Sequence, residues 1–408
     1  MLFFNKLFIF RMYMAATRIL IKSFAWTPFH QDYSRYAPER IIIFRTCALG
    51  DFILSVPTFS AIRERFPHAR ICLVTMSSSH AHQRERVNTY AGRDSLPWLS
   101  FVVPTMIDQV IYIDSLDLPS VLKTHRKSVC EFKPDLTIHV SEGSSSTLSV
   151  IKKIIFLRIL GVKGQILGLN RPRSLRFFRN LQFNTGLFKP RVLELLESTD
   201  DIPNMPRYLG EQVKFSLNIS SAENQFASDL WRIHELDGHT VIAVAPGAIQ
   251  PHKRWPINAY FDLCLKLIDE LNAYIVVIGT KNDLTLGEML ARIPGNRVIN
   301  LLGLTSIGES ASLFSRIVFL VSNDGGAVHL ASAVGRPVVS IISGIEYPGS
   351  IEPWHSPHLS VRLQTHCSPC YSFTHCPQLH NKCITGISVD SVMDRCRSAM
   401  ALGTAVST

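Results

Sequence analysis

No uncharged apolar run in this chain approaches the ~20 residues that a membrane-spanning helix requires. The pattern of a secretory leader is missing too, because Arg11 falls inside the would-be apolar core and no small-residue cleavage site follows. Export is therefore disfavoured, and a cytoplasmic setting is expected. There is no Gly-x-Gly-x-x-Gly turn, which argues against a dinucleotide cofactor. No Asp-x-Asp pair stands ready to hold a divalent ion against a nucleotide. Zinc-finger spacing and the aromatic signature of RNA-binding sheets are both lacking, so nucleic acid is set aside as a partner. No short-period repeat occurs, and no low-complexity tract exceeds Ser144–Ser146.

Acidic residues are missing from one long stretch. Between Glu142 and Glu194 there is none, while Lys152, Lys153, Arg158, Lys163, Arg171, Arg173, Arg176, Arg179, Lys189 and Arg191 supply ten positive charges, as many as the net excess of +10. A solvated basic face is one reading; a surface that attracts phosphates, carboxylates or anionic lipid is the other. The first 38 residues are apolar and basic, with Asn5, Lys6, Arg11, Arg18 and Lys22 interrupting them. Such a segment can lie in a membrane interface; a disordered leader, or a true start at Met12 or Met14, are the alternatives.

At 408 residues, 46% apolar and 18% charged, the chain has the length of two domains and the apolar content to give each a core. From Glu39 onward short β-rich runs alternate with helical patterns. Strands are expected at 40–44, 70–74, 109–113 and 136–140, and Phe52, Val56, Phe59, Ile62 and Phe66 mark the apolar face of a helix after the first. Residues 184–220, with Pro190, Pro203 and Pro206, read as a linker or domain edge. A second series follows, with strands at 240–245, 274–278, 297–300, 317–321 and 338–342 and a helix at 257–271. This is βαβ syntax, given twice, and it predicts two Rossmann-like domains with parallel sheets.

Three strand ends carry candidate chemistry, because ligands of open α/β sheets sit beyond the carboxyl ends of the strands. The first is Arg45-Thr46-Cys47-Ala48-Leu49-Gly50-Asp51, where Asp51 is either a helix cap or a functional carboxylate. The second is Pro246-Gly247-Ala248 followed by Lys253-Arg254-Trp255-Pro256, a glycine turn and a basic pair before a helix. That combination suits a diphosphate, although a surface basic pair is the commoner meaning. The third is Ser322-Asn323-Asp324-Gly325-Gly326-Ala327-Val328-His329, in which two glycines at a helix entry permit close approach to a phosphate. His329, about one helical turn on, is expected on the ligand side; a packed core histidine is the alternative.

Taken in order, with Pro57, Gly335, Pro337 and a cysteine-rich tail, these segments resemble glycosyltransferase family 9, the ADP-heptose:lipopolysaccharide heptosyltransferases. The resemblance implies an α/β fold of GT-B type, two Rossmann-like domains with parallel sheets facing each other across a cleft. The domains expected are a leader (1–38), an acceptor domain (39–210), a donor domain (211–366) and a cysteine-rich segment (367–408). It implies an inverting, metal-independent transfer of heptose or a similar sugar from an ADP-sugar to a lipopolysaccharide inner-core acceptor. In that reading Asp51 is the catalytic base, and Gly50 with Arg171, Arg173 and Arg176 meets an anionic lipid-linked saccharide on the inner-membrane surface. Gly247, Lys253, Arg254, Asp283, Asp324, Gly325, Gly326 and His329 meet the donor. Asp283 replaces a commoner glutamate, and Gly325-Gly326-Ala327 lacks the hydroxyl and proline of the family's usual loop, which leaves one donor hydrogen bond and the sugar preference open. Transfer to protein, as in the autotransporter branch, transfer of another sugar, and a non-catalytic nucleotide-sugar-binding protein are the alternatives. Epimerase chemistry is disfavoured, since its histidine and glutamate constellation is not evident.

Cys367, Cys370, Cys376 and Cys383 crowd into 17 residues. In a reducing compartment four thiolates at such spacing read first as a tetrahedral metal site, with disulfides or plain thiols as alternatives. The resemblance adds that a related branch binds iron through cysteines, so zinc or iron is expected in a structural role, and no cofactor for catalysis.

Overall fold

The computed structural model describes residues 37–46, 48–76, 96–113, 118–140, 147–169, 189–208 and 210–405. The leader up to residue 36, Cys47 and the arginines at 171, 173, 176 and 179 lie outside the described residues. The chain divides into two compact units, Met1–Ser216 and Leu217–Thr408.

The first unit is built on five parallel strands, β1 (Arg40–Phe44), β2 (Arg70–Met76), β3 (Gln109–Ile113), β4 (Leu136–His139) and β5 (Gln165–Leu167), in the order β3-β2-β1-β4-β5. Ile41, Ile42, Ile43 and Phe44 are all buried, as expected of a central strand covered on both faces. The sequence predicts one helix over 52–66; the structure makes two, α1 (Leu49–Ile53) and α2 (Val56–Arg65). Pro57 explains the break. It stands in the first turn of α2, where a missing N–H leaves no bond unmade, and Ser55 just before it turns its hydroxyl back to the Asp51 carbonyl at 2.7 Å. Further helices are α3 (Leu118–Phe132), α4 (Thr147–Ile159) and α5 (Arg191–Leu196), the last falling in the expected linker.

The second unit repeats the scheme with β6 (Val241–Ala245), β7 (Tyr274–Val277), β8 (Val298–Asn300), β9 (Phe319–Asn323) and β10 (Val338–Ile341), all parallel, in the order β10-β9-β6-β7-β8. Its helices are α6 (Ser221–Ile233), α7 (Ile257–Leu271), α8 (Leu284–Leu290), α9 (Ile307–Phe314), α10 (Gly326–Ala333), α11 (Lys382–Thr385) and α12 (Val389–Ala405). Strand β9 starts two residues later than its apolar run suggests, which brings Ser322 and Asn323 into the sheet. Val392, Met393, Cys396 and Ala399 of α12, with Ile384 and Ile387, join Trp255, Tyr260 and the strands in one core. The cysteine-rich segment is thus held at both ends.

In each sheet the chain first runs outward on one side of the first strand and then crosses to the other. The reversal points lie between β1 and β4 and between β6 and β9, where a crevice opens at the carboxyl ends. No helix among the described residues is long and apolar enough to cross a membrane.

Candidate active site

In the first unit the turn after β1 places Asp51 in the first turn of α1. Ala48, not Asp51, is the cap residue, and no side chain caps this helix. The Asp51 carboxylate instead meets Arg191 of α5, Nη1 to Oδ1 at 3.0 Å, with the carboxylate side chain 31% exposed. Arg45, buried, donates from Nη2 to the Asp51 carbonyl at 3.2 Å and from Nη1 to the Val140 carbonyl at 3.4 Å, tying the β1 and β4 ends together. A solvent-reachable carboxylate is therefore fixed by a guanidinium 140 residues away in sequence. Within the basic window, Arg191 is spent on this pair and Arg158 on the carbonyls of Val162 and Gly164.

In the second unit the turns after β6 and β9 meet at the reversal point. Lys253 Nζ donates to Asp324 Oδ2 at 2.6 Å. Burial works to raise the Asp324 carboxyl, but the charge and hydrogen bond of Lys253, with His329 and Arg362 nearby, outweigh it and hold the group below its ordinary value. The Asp324 carboxylate is thus ionised at neutral pH. Asn323, fully buried, donates from Nδ2 to the Pro246 carbonyl at 2.7 Å and accepts the Trp255 amide on Oδ1 at 3.0 Å. One side chain thus joins both loops of the candidate cradle.

Gly325 precedes α10, whose first amides have no partner within the helix. A Cβ built on Gly325 would meet only the Asn323 carbonyl, at 3.9 Å. The space before this helix end is open, as an anion would need. Gly247 differs: a Cβ there would fall 2.6 Å from the Asp283 carboxylate. Asp283 is buried, accepts the Thr280 amide and hydroxyl at 3.2 and 2.7 Å, and pairs with Arg254 at 3.6 Å. Arg254 also donates to the Ala248 carbonyl at 2.8 Å. His329 is buried, 6% exposed, one turn into α10.

Cys367, Cys370, Cys376 and Cys383 are half-buried free thiols. Burial pushes the Cys376 thiol up, yet the amides of Asn381, Gln378, His380 and Leu379 outweigh it and bring the group below its usual value. Burial raises Cys383 and the Gly344 amide lowers it, while the other three thiols raise it again through their charge. The expected four-cysteine donor set is not gathered at one point: of the four, only Cys367 stands in a group of ligand atoms close enough to share an ion among the described residues. Its companions are two histidines not expected from the sequence: donor atoms of His366, Cys367 and His380 lie within 4.8 Å of one another. His380 accepts the Lys382 amide on Nδ1 at 3.0 Å, which in the neutral ring leaves the proton on Nε2, 3.9 Å from the Cys367 sulfur.

With this geometry in place, comparison with known proteins gives a family. Residues 190–379 match the model of glycosyltransferase family 9 (heptosyltransferase). Through that region, which is under half of the chain, the sequence is similar to glycosyltransferase family 9. The chain is 29% identical over 173 residues to lipooligosaccharide heptosyltransferase 2 of Haemophilus influenzae, an alignment that covers 41% of this chain and 46% of that protein. It thus spans under half the length of that relative. Among solved structures, Escherichia coli ADP-heptose lipopolysaccharide heptosyltransferase II superposes with a TM-score of 0.60 at 19% identity, over 89% of this chain and 99% of that one. E. coli heptosyltransferase WaaC with ADP-2-deoxy-2-fluoro heptose superposes at 0.57 and 15%, over 88% and 99%. At such identity these likenesses establish the fold, the two parallel-sheet Rossmann-like sets of the GT-B class.

Proposed function

We propose that this chain is a glycosyltransferase that moves heptose, or a sugar like it, from an ADP-sugar to a saccharide acceptor of the lipopolysaccharide core. The observation that carries the reading is the buried Lys253–Asp324 pair beside the open N-terminal end of α10, at the reversal point of the second sheet. The relatives named as heptosyltransferases and the WaaC structure that holds an ADP-sugar analogue support this donor class.

The chemistry follows from the groups present. An acceptor hydroxyl is a weak nucleophile near neutral pH and needs a base as the glycosidic bond forms. Asp51 is that base: the attacking oxygen gives its proton to the carboxylate while its lone pair displaces the diphosphate from the anomeric carbon, with inversion. Arg191 orients the carboxylate. Negative charge grows on the departing diphosphate, where the Lys253 ammonium and the Gly325 and Gly326 amides stabilise it without a divalent ion. Arg254, set by Asp283 against Gly247, adds a second cation at the same edge. The window that includes Arg171, Arg173 and Arg176 supplies the contact to an anionic lipid-linked acceptor at the inner-membrane surface. The cysteines, with a bound zinc or iron, hold the C-terminal segment in shape and take no part in the transfer.

Turnover and ADP affinity separate these roles. Asp51→Asn is expected to lower kcat by roughly 10²–10⁴-fold, the usual effect of losing a general base, with ADP affinity unchanged by calorimetry. Lys253→Ala is expected to weaken ADP binding. A mutant at position 51 that kept full turnover with labelled ADP-heptose and core acceptor would remove the base from that position. Donor consumption with a protein acceptor and none with the core saccharide would move the reading to protein heptosylation.

A further inference from the structure

The turn that carries Lys253 leans on the cysteine-rich segment. It is a single 3₁₀ turn, Pro251–Lys253, closed by the Lys253 amide on the Gln250 carbonyl at 3.0 Å and the Arg254 amide on the Pro251 carbonyl at 3.0 Å. So short a turn does not fix its own place; besides the Lys253 and Arg254 bonds already described, three side-chain bonds hold it. Asn323 receives the Trp255 amide from one side. On the other, His252, 8% exposed, sets Nε2 3.2 Å from the Ser372 carbonyl, and the Trp255 indole donates to the Ile387 carbonyl at 2.9 Å. Ser372 lies between Cys370 and Cys376, and Ile387 lies four residues past Cys383. The two bonds flank Cys376 and Cys383.

Residues 362–381 form neither helix nor strand, so this stretch keeps its path only through tie points. The Cys370 amide donates to the Gly344 carbonyl at 3.1 Å and the Tyr371 amide to the Ile345 carbonyl at 2.9 Å. A Cβ at Gly344 would lie 2.0 Å from the Ser368 hydroxyl and 3.2 Å from the Cys383 Cβ, so the cluster is seated directly on the loop after β10. Arg362 adds bonds to Glu352 and to the Ser343 and Glu346 carbonyls, Tyr371 packs edge-on against Tyr347, and the four thiols lie along the path these ties define. Ser372 lies within this segment, and His252, bonded to its carbonyl, is next to Lys253 in the chain.

We propose that His252 is a positioning residue for donor binding: its ring couples the cysteine-rich segment to the turn that bears Lys253, so that affinity for the donor diphosphate follows the integrity of the thiol cluster. The inference rests on the reading that Lys253 meets the diphosphate, and it gives the cysteines a task beyond holding the fold. His252 itself touches no reacting atom.

A mutant cycle read by calorimetry with ADP tests it. His252→Ala is expected to weaken ADP binding roughly 3- to 10-fold, the scale of one lost hydrogen bond, and His252→Gln, which keeps a donor for the Ser372 carbonyl, to restore it to within about 2-fold. Cys376→Ser is expected to weaken ADP binding in the parent protein and to have no further effect in the His252→Ala background. Circular dichroism and melting temperature monitor folding of each variant, and the Gln rescue distinguishes positioning from general damage. Strictly multiplicative effects of the two substitutions, or an inert His252→Ala beside a weakened Lys253→Ala, would overturn the coupling alone. Unchanged ADP affinity in Lys253→Ala would overturn the donor reading and the coupling with it.

Discussion

His139 closes β4 with 2% of its surface exposed, its ring stacked on Phe44 at a centroid distance of 5.6 Å. Burial first, then the charges of Lys153 and Arg45, push its imidazole well below the usual 6.5, against a weaker pull from the Gly168 backbone. The folded first unit therefore holds this ring neutral, while the unfolded chain takes up a proton below about pH 6.5. The unfolded state then binds more protons, so the stability from this site is complete above pH 6.5 and is lost as the pH falls. Chemical denaturation of the parent between pH 7 and 5 is expected to show this loss, at up to about 1.4 kcal/mol per pH unit for one proton. His139→Phe, which keeps the stack on Phe44 and removes the titration, is expected to flatten that part of the profile; an unchanged slope would assign it to other groups. None of this was visible in the sequence, where a lone histidine in an apolar run has no marked partner. Arg191 was counted there only as one charge among ten, and Asn323 only as a letter of a motif, because their partners are 140 and 68 residues away. Asp51, Lys253 and Asp324 were legible because each follows a strand end at a glycine turn.

At the scale of elements, segments long enough to show an apolar run or a helical period announced themselves and shorter ones did not. The runs at 40–44 and 109–113 fall where the apolar text places them, and the helix at 257–271 keeps its bounds. β5, only Gln165–Leu167, is too short for any period to register and exists because β4 offers it a free edge. The late start of β9 has the largest consequence, since it makes Asn323 the last strand residue and turns its amide into the bolt between the β6 and β9 turns. Asn323→Leu keeps the branched outline with some added bulk and removes the side-chain bonds to the Pro246 carbonyl and the Trp255 amide. Leaving such buried groups unmatched costs about 1–3 kcal/mol each. For a unit of this size a kilocalorie corresponds to roughly 2–4 °C. Calorimetric melting is therefore expected to drop by several degrees for the second unit, with ADP affinity falling at the same time. A variant that lost stability while binding ADP as the parent does would show that the two turns keep their places without this bolt.

The described residues form two sheets, each with its own apolar core, one gathered around Ile42, Phe44, Val74 and Ile154 and the other around Trp255, Tyr260, Val321 and Met393. The doubling was legible in the sequence because strand and helix patterns alternate twice with a proline-marked interval between them. The role of α12 was not, since its modest apolar face acquires meaning only against the second sheet. Separate cores imply separate cooperative transitions, and the donor reading places every diphosphate contact in the second unit. ADP at about 100 times its dissociation constant adds roughly 2.7 kcal/mol to whatever folds around it, which for a unit of this size is about 5–10 °C. Calorimetry is thus expected to resolve two transitions and ADP to raise one of them. Hydrogen exchange should assign it, with slowed exchange at 246–255 and 323–329 and none gained at 40–44 or 136–139. If ADP instead protected the strands of the first unit and left the second transition in place, the donor and acceptor assignments of the two sheets would have to be exchanged, and Lys253 would lose its diphosphate.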